Sequence, residues 1–504
     1  MNQFGPATGS GVDLRALFPN ARFINGDYIK CSSVTADSRR CQPGDVFVAI
    51  CGTEQDGHQF VGEALDQGAS AVIAERLVPT RDVPLCIVRD SRMAFGKLCH
   101  ELVDRPSERL KVIGVTGTNG KTTTACLIHS LFSVAGYQSG IMGTLGYCDG
   151  IRTAPSPLTT PSAATLAHTM QRMVSNGCSH AVLELSSHAL AQRRTSGLEL
   201  DVACLTNVGH DHLDFHGSQE NYWKAKARIF RHLRAEGVSI LNLDDPPSRK
   251  YLRHLDGPVL TIGMHREAEL NATVIERFAS EQTFLLRCGS DLIPVRTRII
   301  GDHHVYNCLS AAAVGLTHGI DLPTVVRGLE AIDEMPGRMQ RIEFGQPFSV
   351  FIDYAHTPDA LRACLSTLKD VCDRRVICVF GAGGQRDKEK RPVMGRIVSE
   401  LADTAVITND NPRQESADAI VLGILGGADR DACEIIVETD RAAAIDAALS
   451  SAKEGDCVVI AGKGHETYQL IGDERIYFDD REVVRSWLRG ALRTTDATST
   501  RRAA

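Results

Sequence analysis

The sequence lacks the features that mark membrane, secreted and nucleic-acid-binding proteins. It contains no run of about 18 uncharged apolar residues, the length that a membrane-spanning helix needs. Residues 1–19 show no basic segment followed by an apolar stretch, which argues against a secretory leader. Positive charge is not in excess, because the formal net charge of the 504 residues is −7. We therefore expect no membrane span and no nucleic-acid partner.

The 16 cysteines form no Cys-x-x-Cys pair, so their spacing does not support a metal site. Most lie singly in apolar segments, as Cys126, Cys204, Cys378 and Cys457 do. A reduced cysteine in such a place behaves as a small hydrophobic residue. Disulfides are rare in the cytosol, and this pattern therefore predicts a cytoplasmic protein with free core cysteines.

The length and the hydrophobic pattern predict three α/β domains. Short strand-like runs divided by Gly, Pro and Asp occupy the first block, and apolar runs alternate with helical segments in the second, which is typical of a mostly parallel sheet. The third block follows a β-α-β-α-β pattern of the Rossmann-like kind. We expect domains at residues 1–107, 108–343 and 344–493, with a flexible tail at 494–504.

One segment predicts nucleotide binding without help from the rest of the chain. Residues 116–123, TGTNGKTT, lie between a strand-like run and a helical pattern, which is the context of a P-loop. Its glycines let backbone N–H groups face phosphate oxygens, and the helix N-terminus adds partial positive charge. Lys121 can reach the outer phosphates, and the Thr122 hydroxyl can bind Mg²⁺. The spacing departs from the strict Walker form, because Val115 stands where a glycine is expected.

Together with five further segments, this loop resembles the Mur ligase family, ATP-dependent amide-forming enzymes of bacterial cell-wall synthesis. The matching segments are residues 116–123, 184–188 (ELSSH), 206–214 (TNVGHDHLD), 337–339 (GRM), 353–360 (DYAHTPDA) and 410–413 (DNPR). The resemblance implies an N-terminal UDP-substrate domain, a central P-loop ATPase and a C-terminal Rossmann-like domain that binds the amino acid. It also implies the addition of meso-diaminopimelate to UDP-N-acetylmuramoyl-L-alanyl-D-glutamate through an acyl phosphate, by a monomer acting on small molecules.

The resemblance implies a set of nucleotide and metal residues. The residues expected to bind ATP are Gly117, Thr118, Asn119, Gly120, Lys121, Thr122, Thr123, Asn307, Arg338 and Asp353. The residues expected to be catalytic are Lys121, Glu184, His212 and Lys226. Thr122 joins the last three as the expected Mg²⁺ ligands, with Lys226 carbamylated by CO₂. Lys224 lies about 200° away from Lys226 around a helix, so the two lysines cannot face one site.

The UDP-linked substrate is expected to meet both the first and the central domain. The residues implied are Ala36, Ser38, Thr53, Glu54, Gln55, Thr159, Thr160, Ser186, Gln192 and Arg194. Two positions depart from the family pattern. Leu158 stands where relatives often carry Asn beside this substrate, and His304 replaces an Asn near the adenine.

The amino-acid site is expected in the third domain, at Arg386, Asp410, Asn411, Pro412, Arg413, Gly462 and Glu466. Diaminopimelate carries an additional carboxylate that a guanidinium such as that of Arg413 can hold with two hydrogen bonds. Lysine lacks this carboxylate. Three alternatives remain open: the same reaction with L-lysine or another diamino acid, a different Mur or folylpolyglutamate-type ligase, and a catalytically silent nucleotide-binding regulator.

Overall fold

The computed structural model describes residues 11–26, 28–52 and 55–502, the last eleven of these by their backbone alone. Three α/β bodies follow one another along the chain, each built around its own sheet, as the sequence predicts. Within the described residues, no helix has both the length and the apolarity needed to cross a membrane. All 16 cysteines are free thiols.

The first body has a five-stranded sheet in the order β2-β7-β6-β5-β4, in which only β2 is antiparallel to its neighbour. Its strands are β1 (Val12–Asp13), β2 (Arg22–Ile24), β3 (Lys30–Cys31), β4 (Val34–Thr35), β5 (Val46–Val48), β6 (Ala71–Ala74) and β7 (Leu85–Ile87). Its helices are α1 (Leu14–Leu17), α2 (Val61–Asp66) and α3 (Ser91–Glu101). β1 and β3 pair separately from the sheet.

The central body has an eleven-stranded sheet in the order β11-β10-β9-β12-β8-β13-β14-β15-β16-β17-β18. The strands from β9 to β16 run parallel, and both edges are antiparallel hairpins. The strands are β8 (Lys111–Thr116), β9 (Ser139–Gly143), β10 (Gly146–Cys148), β11 (Thr153–Ala154), β12 (His180–Glu184), β13 (Leu200–Leu205), β14 (Leu233–Asn242), β15 (Val259–Gly263), β16 (Leu270–Arg277), β17 (Gln282–Cys288) and β18 (Asp291–Thr297). The helices are α4 (Lys121–Val134), α5 (Ala163–Ser175), α6 (Ser187–Ala191), α7 (Leu213–His216), α8 (Gln219–Ala227), α9 (Pro246–Tyr251), α10 (Asp302–Thr317) and α11 (Leu322–Glu330).

The third body has a six-stranded sheet in the order β19-β20-β24-β21-β22-β23, parallel except for β19. Its strands are β19 (Gln340–Ile342), β20 (Ser349–Asp353), β21 (Val376–Phe380), β22 (Thr404–Ile407), β23 (Glu434–Val437) and β24 (Cys457–Ala461), followed by the hairpin of β25 (Tyr468–Ile471) and β26 (Glu474–Tyr477). Its helices are α12 (Pro358–Val371), α13 (Lys390–Leu401), α14 (Ala417–Leu425), α15 (Arg441–Ser451) and α16 (Asp480–Arg502).

Two details differ from the expected organisation of the third body. β19 lies just before the expected boundary at residue 343 and pairs antiparallel with β20, so the third sheet begins a few residues earlier than expected. The backbone of α16 is helical through Arg502, across most of the expected tail. Short 3₁₀ helices occur at Ser38–Arg40, Gly57–Phe60, Pro106–Glu108, Arg228–His232 and Leu252–His254.

The parallel strands bring the matched sequence segments to sheet edges. The P-loop follows β8, Glu184 ends β12, and Thr206 directly follows β13. In the third body, Asp353 ends β20 and Ala461 ends β24. Loops at the carboxyl ends of parallel strands are where α/β proteins bind ligands. The buried apolar interior of each strand, such as Val112–Val115 in β8, anchors these loops.

Candidate functional site

The P-loop curls tightly because two of its glycines allow it to. Gly120 has a φ of +84°, a left-handed conformation that disfavours side chains, and a Cβ there would collide with Asn307 Oδ1. A Cβ on Gly117 would collide with Thr206 Oγ1. Lys121 Nζ folds back over the loop and donates to the carbonyls of Gly117, at 2.8 Å, and Thr118, at 2.9 Å. Burial lowers the pKa of this lysine, and the charge of Glu184 opposes the shift.

A cavity of about 610 Å³ lies over this loop, between the central and third bodies. It gathers most of the residues that the resemblance implies for ATP, metal and catalysis. Those lining it are Thr118, Asn119, Gly120, Lys121, Thr122, Thr123, His212, Lys226, Asn307, Arg338 and Asp353, with Thr159 and Ser186 from the expected substrate set. Its volume lies in the range of small-molecule and cofactor sites.

Glu184 and Thr122 form an oxygen-rich pair beneath the cavity. The Glu184 carboxylate is 2% exposed, and its Oε2 accepts hydrogen bonds from Thr122 Oγ1 at 2.9 Å and from Thr144 Oγ1 at 3.1 Å. Burial raises the pKa of Glu184, while the backbone N–H of Thr144 and the charge of Lys121 oppose the shift. Across the described residues, no three His, Cys, Asp or Glu side chains converge as a ready metal cage. An ion bound here would be held by Thr122 Oγ1, by Glu184 Oε2 and by oxygens of the nucleotide. Such an all-oxygen donor set fits Mg²⁺.

Lys226 and Lys224 occupy opposite faces of α8, as the helical spacing predicts. Lys226 is 1% exposed; its Nζ donates to the Gly117 carbonyl at 2.6 Å and lies 4.4 Å from the centre of the Tyr222 ring. Burial lowers the pKa of Lys226 well below its ordinary value, and the charge of Lys121 adds to the shift. Lys224 is exposed and pairs with Glu220 at 2.6 Å. Of these two lysines, Lys226 is the one that lines the cavity, and burial there disfavours its charged form.

His212 stands at the start of α7 in a left-handed conformation, with a φ of +53°. Its Nε2 lies 3.3 Å from Asp211 Oδ2, and its ring centre lies 4.7 Å from that of His188. Burial lowers the pKa of His212 despite the opposing charge of Asp211. The imidazole is therefore neutral near pH 7, the form that can bind a metal.

Three further nucleotide candidates surround the cavity from α10 and the third body. Asn307 contacts the P-loop, and its Oδ1 accepts a hydrogen bond from Thr124 Oγ1 at 3.3 Å. The Arg338 guanidinium stacks 4.3 Å from the centre of the Tyr354 ring, beside the cavity. Asp353 accepts from the backbone N–H groups of Met339, at 2.6 Å, and Ala355, at 2.8 Å. Its carboxylate therefore holds two cavity-lining segments in place.

His304, which departs from the family pattern, lines the same cavity. Its Nε2 lies 3.5 Å from Cys308 Sγ, whereas its Nδ1 is buried and has no hydrogen-bond partner within the described part of the chain. Burial lowers the pKa of His304 to about 3. A neutral ring with one open nitrogen can still donate or accept one hydrogen bond, as the amide that it replaces can.

The expected substrate residues of the central body form one hydrogen-bonded chain. Thr160 Oγ1 donates to the Glu184 carbonyl at 2.7 Å and accepts from the Ser186 N–H at 2.9 Å. Arg194 donates to the Thr160 carbonyl at 3.2 Å and to Gln192 Oε1 at 2.6 Å. Thr159 Oγ1 lies 3.1 Å from Thr144 Oγ1. This network of hydrogen bonds begins at the metal candidate Glu184 and extends toward the first body.

The candidates of the first body lie away from this cavity. Ser38 donates to Glu63 Oε2 at 2.7 Å, and neither Ser38 nor Ala36 lines the cavity. Gln55 is exposed, while Thr53 and Glu54 lie outside the described residues. Leu158, the second departure, accepts a hydrogen bond from the Tyr147 hydroxyl through its backbone carbonyl.

The residues expected to bind the amino acid gather in the third body, at the ends of β22 and β24. Asn411 Nδ2 donates to Glu466 Oε2 at 3.0 Å. Arg413 has a φ of +54°, and its Nη1 donates to the Gly384 carbonyl at 2.8 Å. Burial lowers the pKa of Arg413, and the charge of Arg386 adds to the shift. Two cations held near each other with partly buried donors suit a carboxylate ligand.

The other expected members of this cluster are placed as follows. Asp410 and Pro412 are buried between these contacts, and a Cβ on Gly462 would lie 2.8 Å from Asp410 Oδ2. Arg386 is half exposed, and its Nη1 lies 4.0 Å from Asp214 Oδ2 of the central body.

Several residues beside the cavity and the amino-acid cluster have no role in the sequence-based prediction. His356 Nδ1 lies 2.7 Å from the Tyr354 carbonyl, and Lys390 Nζ donates to the His356 carbonyl at 3.0 Å. Asp359 Oδ2 accepts from the His210 N–H at 3.2 Å. Lys463 is fully buried and donates to Glu466 Oε2 at 3.3 Å. The matched segment 353–360 contained three of these residues and was the signal for them.

Fold and site together define a nucleotide-dependent α/β enzyme of three domains, with a P-loop in the centre and a cluster of arginines and carboxylates in the third. Family models match all three parts: the Mur ligase family, catalytic domain, at residues 30–93; the Mur ligase middle domain at 115–315; and the Mur ligase, glutamate ligase domain, at 337–464.

Curated relatives extend this match over most of the chain. The UDP-N-acetylmuramoyl-L-alanyl-D-glutamate--2,6-diaminopimelate ligase of Geobacillus kaustophilus is 41% identical over 456 residues, 89% of this chain and 93% of that protein. The protein of the same name from Solibacter usitatus is 41% identical over 457 residues, 90% of this chain and 92% of that protein. The chain belongs to the Mur ligase family.

Solved structures agree with this assignment. A structure of UDP-N-acetylmuramoyl-L-alanyl-D-glutamate--2,6-diaminopimelate ligase superposes with a TM-score of 0.69 at 32% identity, covering 96% of this chain and 99% of that one. MurF ligase from Thermotoga maritima, solved in complex with ADP, has a TM-score of 0.63 at 21% identity, covering 92% and 98%. The second likeness shows the shared fold.

Proposed function

We propose that the chain uses ATP to join meso-diaminopimelate to UDP-N-acetylmuramoyl-L-alanyl-D-glutamate, in the synthesis of peptidoglycan precursors. The observation that carries this proposal is the pair of sites at the sheet edges. A P-loop cavity with the partly buried Lys121 ammonium beside its backbone N–H groups suits a nucleoside triphosphate. A cluster that holds both cations and carboxylates suits an amino acid with two ammonium and two carboxylate groups.

The first step activates a poor acyl donor. A carboxylate oxygen of the dipeptide bonds to the γ-phosphorus of ATP as the bond to the bridging oxygen breaks, which gives an acyl phosphate and ADP. Lys121 neutralises charge on the outer phosphates, and the loop N–H groups orient them. Thr122, Glu184, His212 and a carbamylated Lys226 would hold Mg²⁺, which neutralises negative charge on the phosphates when it is bound.

The second step forms the amide. The amine nitrogen of diaminopimelate bonds to the acyl carbon, phosphate leaves with the electron pair of the broken C–O bond, and the nitrogen loses its extra proton. Arg413 and Arg386 would hold the distal carboxylate, and Glu466 with Gly462 would hold the distal ammonium. The segment from Asp410 to Arg413 would carry the specificity. Correct positioning of the two reactants supplies much of the acceleration in such a step.

Carbamylation of Lys226 follows from the state of its amine. CO₂ adds only to an unprotonated amine, and burial favours that form of Lys226. The carbon of CO₂ bonds to the neutral Nζ as one C–O π bond opens onto oxygen, one proton leaves the nitrogen, and the neutral amine becomes a carbamate anion. An anionic ligand beside Thr122 would favour a divalent cation.

The remaining assignments belong to the same proposal. The first domain, residues 1–107, would bind the UDP part through Ala36, Ser38, Thr53, Glu54 and Gln55. Residues 108–343 and 344–493 would form the ATP and amino-acid domains, followed by the tail at 494–504. The enzyme would act in the cytoplasm, because ATP and UDP-linked precursors are cytosolic substrates. It would act as a monomer.

Phosphate release tests the proposal directly. Purified protein with ATP, Mg²⁺ and the UDP-linked dipeptide should release phosphate when meso-diaminopimelate is added, and much less when L-lysine is added. A preference for lysine would overturn the specificity and keep the ligase activity. No phosphate release with any diamino acid would overturn the function.

A further inference from the structure

The two segments that form the amino-acid cluster come from strands that are not neighbours. Asn409 and the residues after it follow β22, Gly462 and the residues after it follow β24, and β21 lies between the two strands. The segments nevertheless meet over the edge of the sheet. Asn411 donates to Glu466 at 3.0 Å, and a Cβ on Gly462 would lie 2.8 Å from Asp410 Oδ2. Such a meeting point needs something that fixes the spacing of the two segments.

Arg441, the first residue of α15, lies directly behind both segments and is 2% exposed. Its Nη1 donates to the Asn409 carbonyl at 3.2 Å, immediately before Asp410. Its Nη2 donates to the Ala461 carbonyl at 3.0 Å, immediately before Gly462. One rigid guanidinium therefore binds one carbonyl in each segment.

Asp480, the first residue of α16, holds this guanidinium from the other side. Its Oδ1 accepts from Arg441 Nε at 2.8 Å, and its Oδ2 accepts from Nη2 at 2.8 Å, with both side chains fully buried. Burial disfavours the charged guanidinium, but the charges of Asp480, Asp410 and Glu466 outweigh it and hold the pKa of Arg441 above its ordinary value. The guanidinium thus interacts electrostatically with two carboxylates of the amino-acid cluster.

We propose that Arg441 is a positioning residue that sets the distance between the two amino-acid-binding segments, with Asp480 fixing its orientation. This inference rests on the proposed function of the cluster. Arginine suits the task because its planar fork offers five donors in a fixed geometry. A lysine ammonium at this position cannot bind both carbonyls and both oxygens of Asp480 in the same arrangement.

The alternative hypothesis, that Arg441 and Asp480 only stabilise the fold, predicts a different result. Replacing a buried ion pair by apolar residues of similar volume is often neutral or stabilising. If Arg441 and Asp480 served stability alone, the double replacement R441M/D480L would leave the Michaelis constants unchanged. If they position the segments, that variant would fold but bind the amino acid poorly.

The test is steady-state phosphate release with R441K and with R441M/D480L, together with a thermal melt of each. We expect the KM for meso-diaminopimelate to rise by about 10- to 100-fold, as when supporting partners of binding residues are removed. The KM values for ATP and for the UDP-linked dipeptide should stay within about twofold, because the hydrogen bonds of Arg441 go to the segments of the amino-acid cluster and to Asp480. A loss of folded enzyme would lower the apparent kcat and leave all three KM values unchanged.

A matched control lies at the other end of the same sheet. Arg375 Nη2 pairs with the buried Asp456 Oδ2 at 2.7 Å, next to the first residues of β21 and β24. The D456N variant should lose thermal stability while its KM for diaminopimelate stays at the wild-type value.

Three results would overturn the assignment of Arg441: equal changes in all three KM values, a change in melting temperature alone, or loss of folding in both variants. If diaminopimelate did not stimulate phosphate release by the wild-type protein, the proposed function would be overturned instead. The same variants would then be compared with the amino acid that the wild type does use.

Discussion

Cationic side chains have different partners in the nucleotide cavity of the central domain and in the amino-acid cluster of the third domain. Lys121 and Lys226 are bound to backbone carbonyls, and within the described residues neither pairs with a carboxylate. In the third domain, Lys463 is bound to Glu466 and Arg441 to Asp480. The Lys121 ammonium, which has no carboxylate partner within the described residues, suits a polyanion such as a triphosphate, whereas a balanced cluster suits a zwitterion.

The largest expected effect is on the central domain. Lys226→Ala should reduce phosphate release by about 100- to 1,000-fold, comparable to the loss of one preorganised electrostatic group. Added bicarbonate should not restore the activity, because no amine remains to be carbamylated. Lys224→Ala, on the exposed face of the same helix, should keep near wild-type activity. An active Lys226→Ala enzyme would remove the basis for treating that lysine as a metal ligand.

Glu184→Gln should come next in size. The substitution keeps the hydrogen bonds to Thr122 and Thr144 within reach but removes the buried negative charge. We expect activity to fall by about 10- to 100-fold, with a higher Mg²⁺ concentration needed for half-maximal rate. A Mg²⁺ titration of phosphate release measures both. Glu220→Gln, at the surface, is the control, and an unchanged Mg²⁺ requirement in Glu184→Gln would argue against metal binding there.

Arg413→Ala tests the third domain by itself. Hydrogen bonds to charged groups contribute about 1.5–3 kcal/mol, so the preference for diaminopimelate over lysine should fall by about 10- to 100-fold. The KM for ATP should remain unchanged, since Arg413 does not line the nucleotide cavity. Arg396→Ala, an exposed arginine of the same domain, serves as control. An intact preference in Arg413→Ala would move the specificity to another residue, with Arg386 the first to examine.

The last prediction concerns the stability of the central domain at low pH and not its activity. His180 is buried beside Phe132 and His318, and burial lowers its pKa to about 4, with the charge of His318 adding to the shift. The unfolded chain binds this proton near pH 6.5, so the stabilisation is complete above that pH and is lost as the pH falls toward 4. The loss from this one group amounts to up to about 3 kcal/mol.

Thermal melts between pH 7 and pH 4.5 measure this effect. His180→Phe should flatten the decline of the melting temperature with acid compared with the wild type, because the ring stays and the proton site is removed. An equally steep decline in the variant would assign the acid sensitivity to other groups, such as His216, whose pKa burial also lowers to about 4.

Local pattern was enough for much of the fold. The alternation of strands and helices expected in the third block is confirmed, and so is the P-loop between a strand and a helix. The opposite faces of Lys224 and Lys226 followed from helical geometry alone. The edge hairpins of the central sheet and the strand β19 were not predicted. The strands β10, β11 and β19 have only two or three residues each, which is too few for a periodic pattern, and their strand form depends on the neighbour that they pair with.

The candidate site divides in the same way. The matched segments located Lys121, Glu184, His212 and Arg413, since phosphate loops and strand-end carboxylates carry short-range sequence signals. Tyr354 and His356 lie in the matched segment 353–360, but that segment did not indicate the contacts that they make. Lys390 and Lys463 had no sequence signal. The role of each of the four depends on which backbone carbonyl or carboxylate the fold brings against it.

The order of residues along this chain thus settles which elements form, which loops follow the buried strands and which side chains are chemically able to bind phosphate, metal or carboxylate. The folded arrangement settles which of those side chains meet. Arg441 and Asp480 illustrate the reason, because 39 positions separate two residues whose atoms lie 2.8 Å apart. Periodicity and propensity act over a few residues, whereas burial of a charge is set by every segment that packs around it.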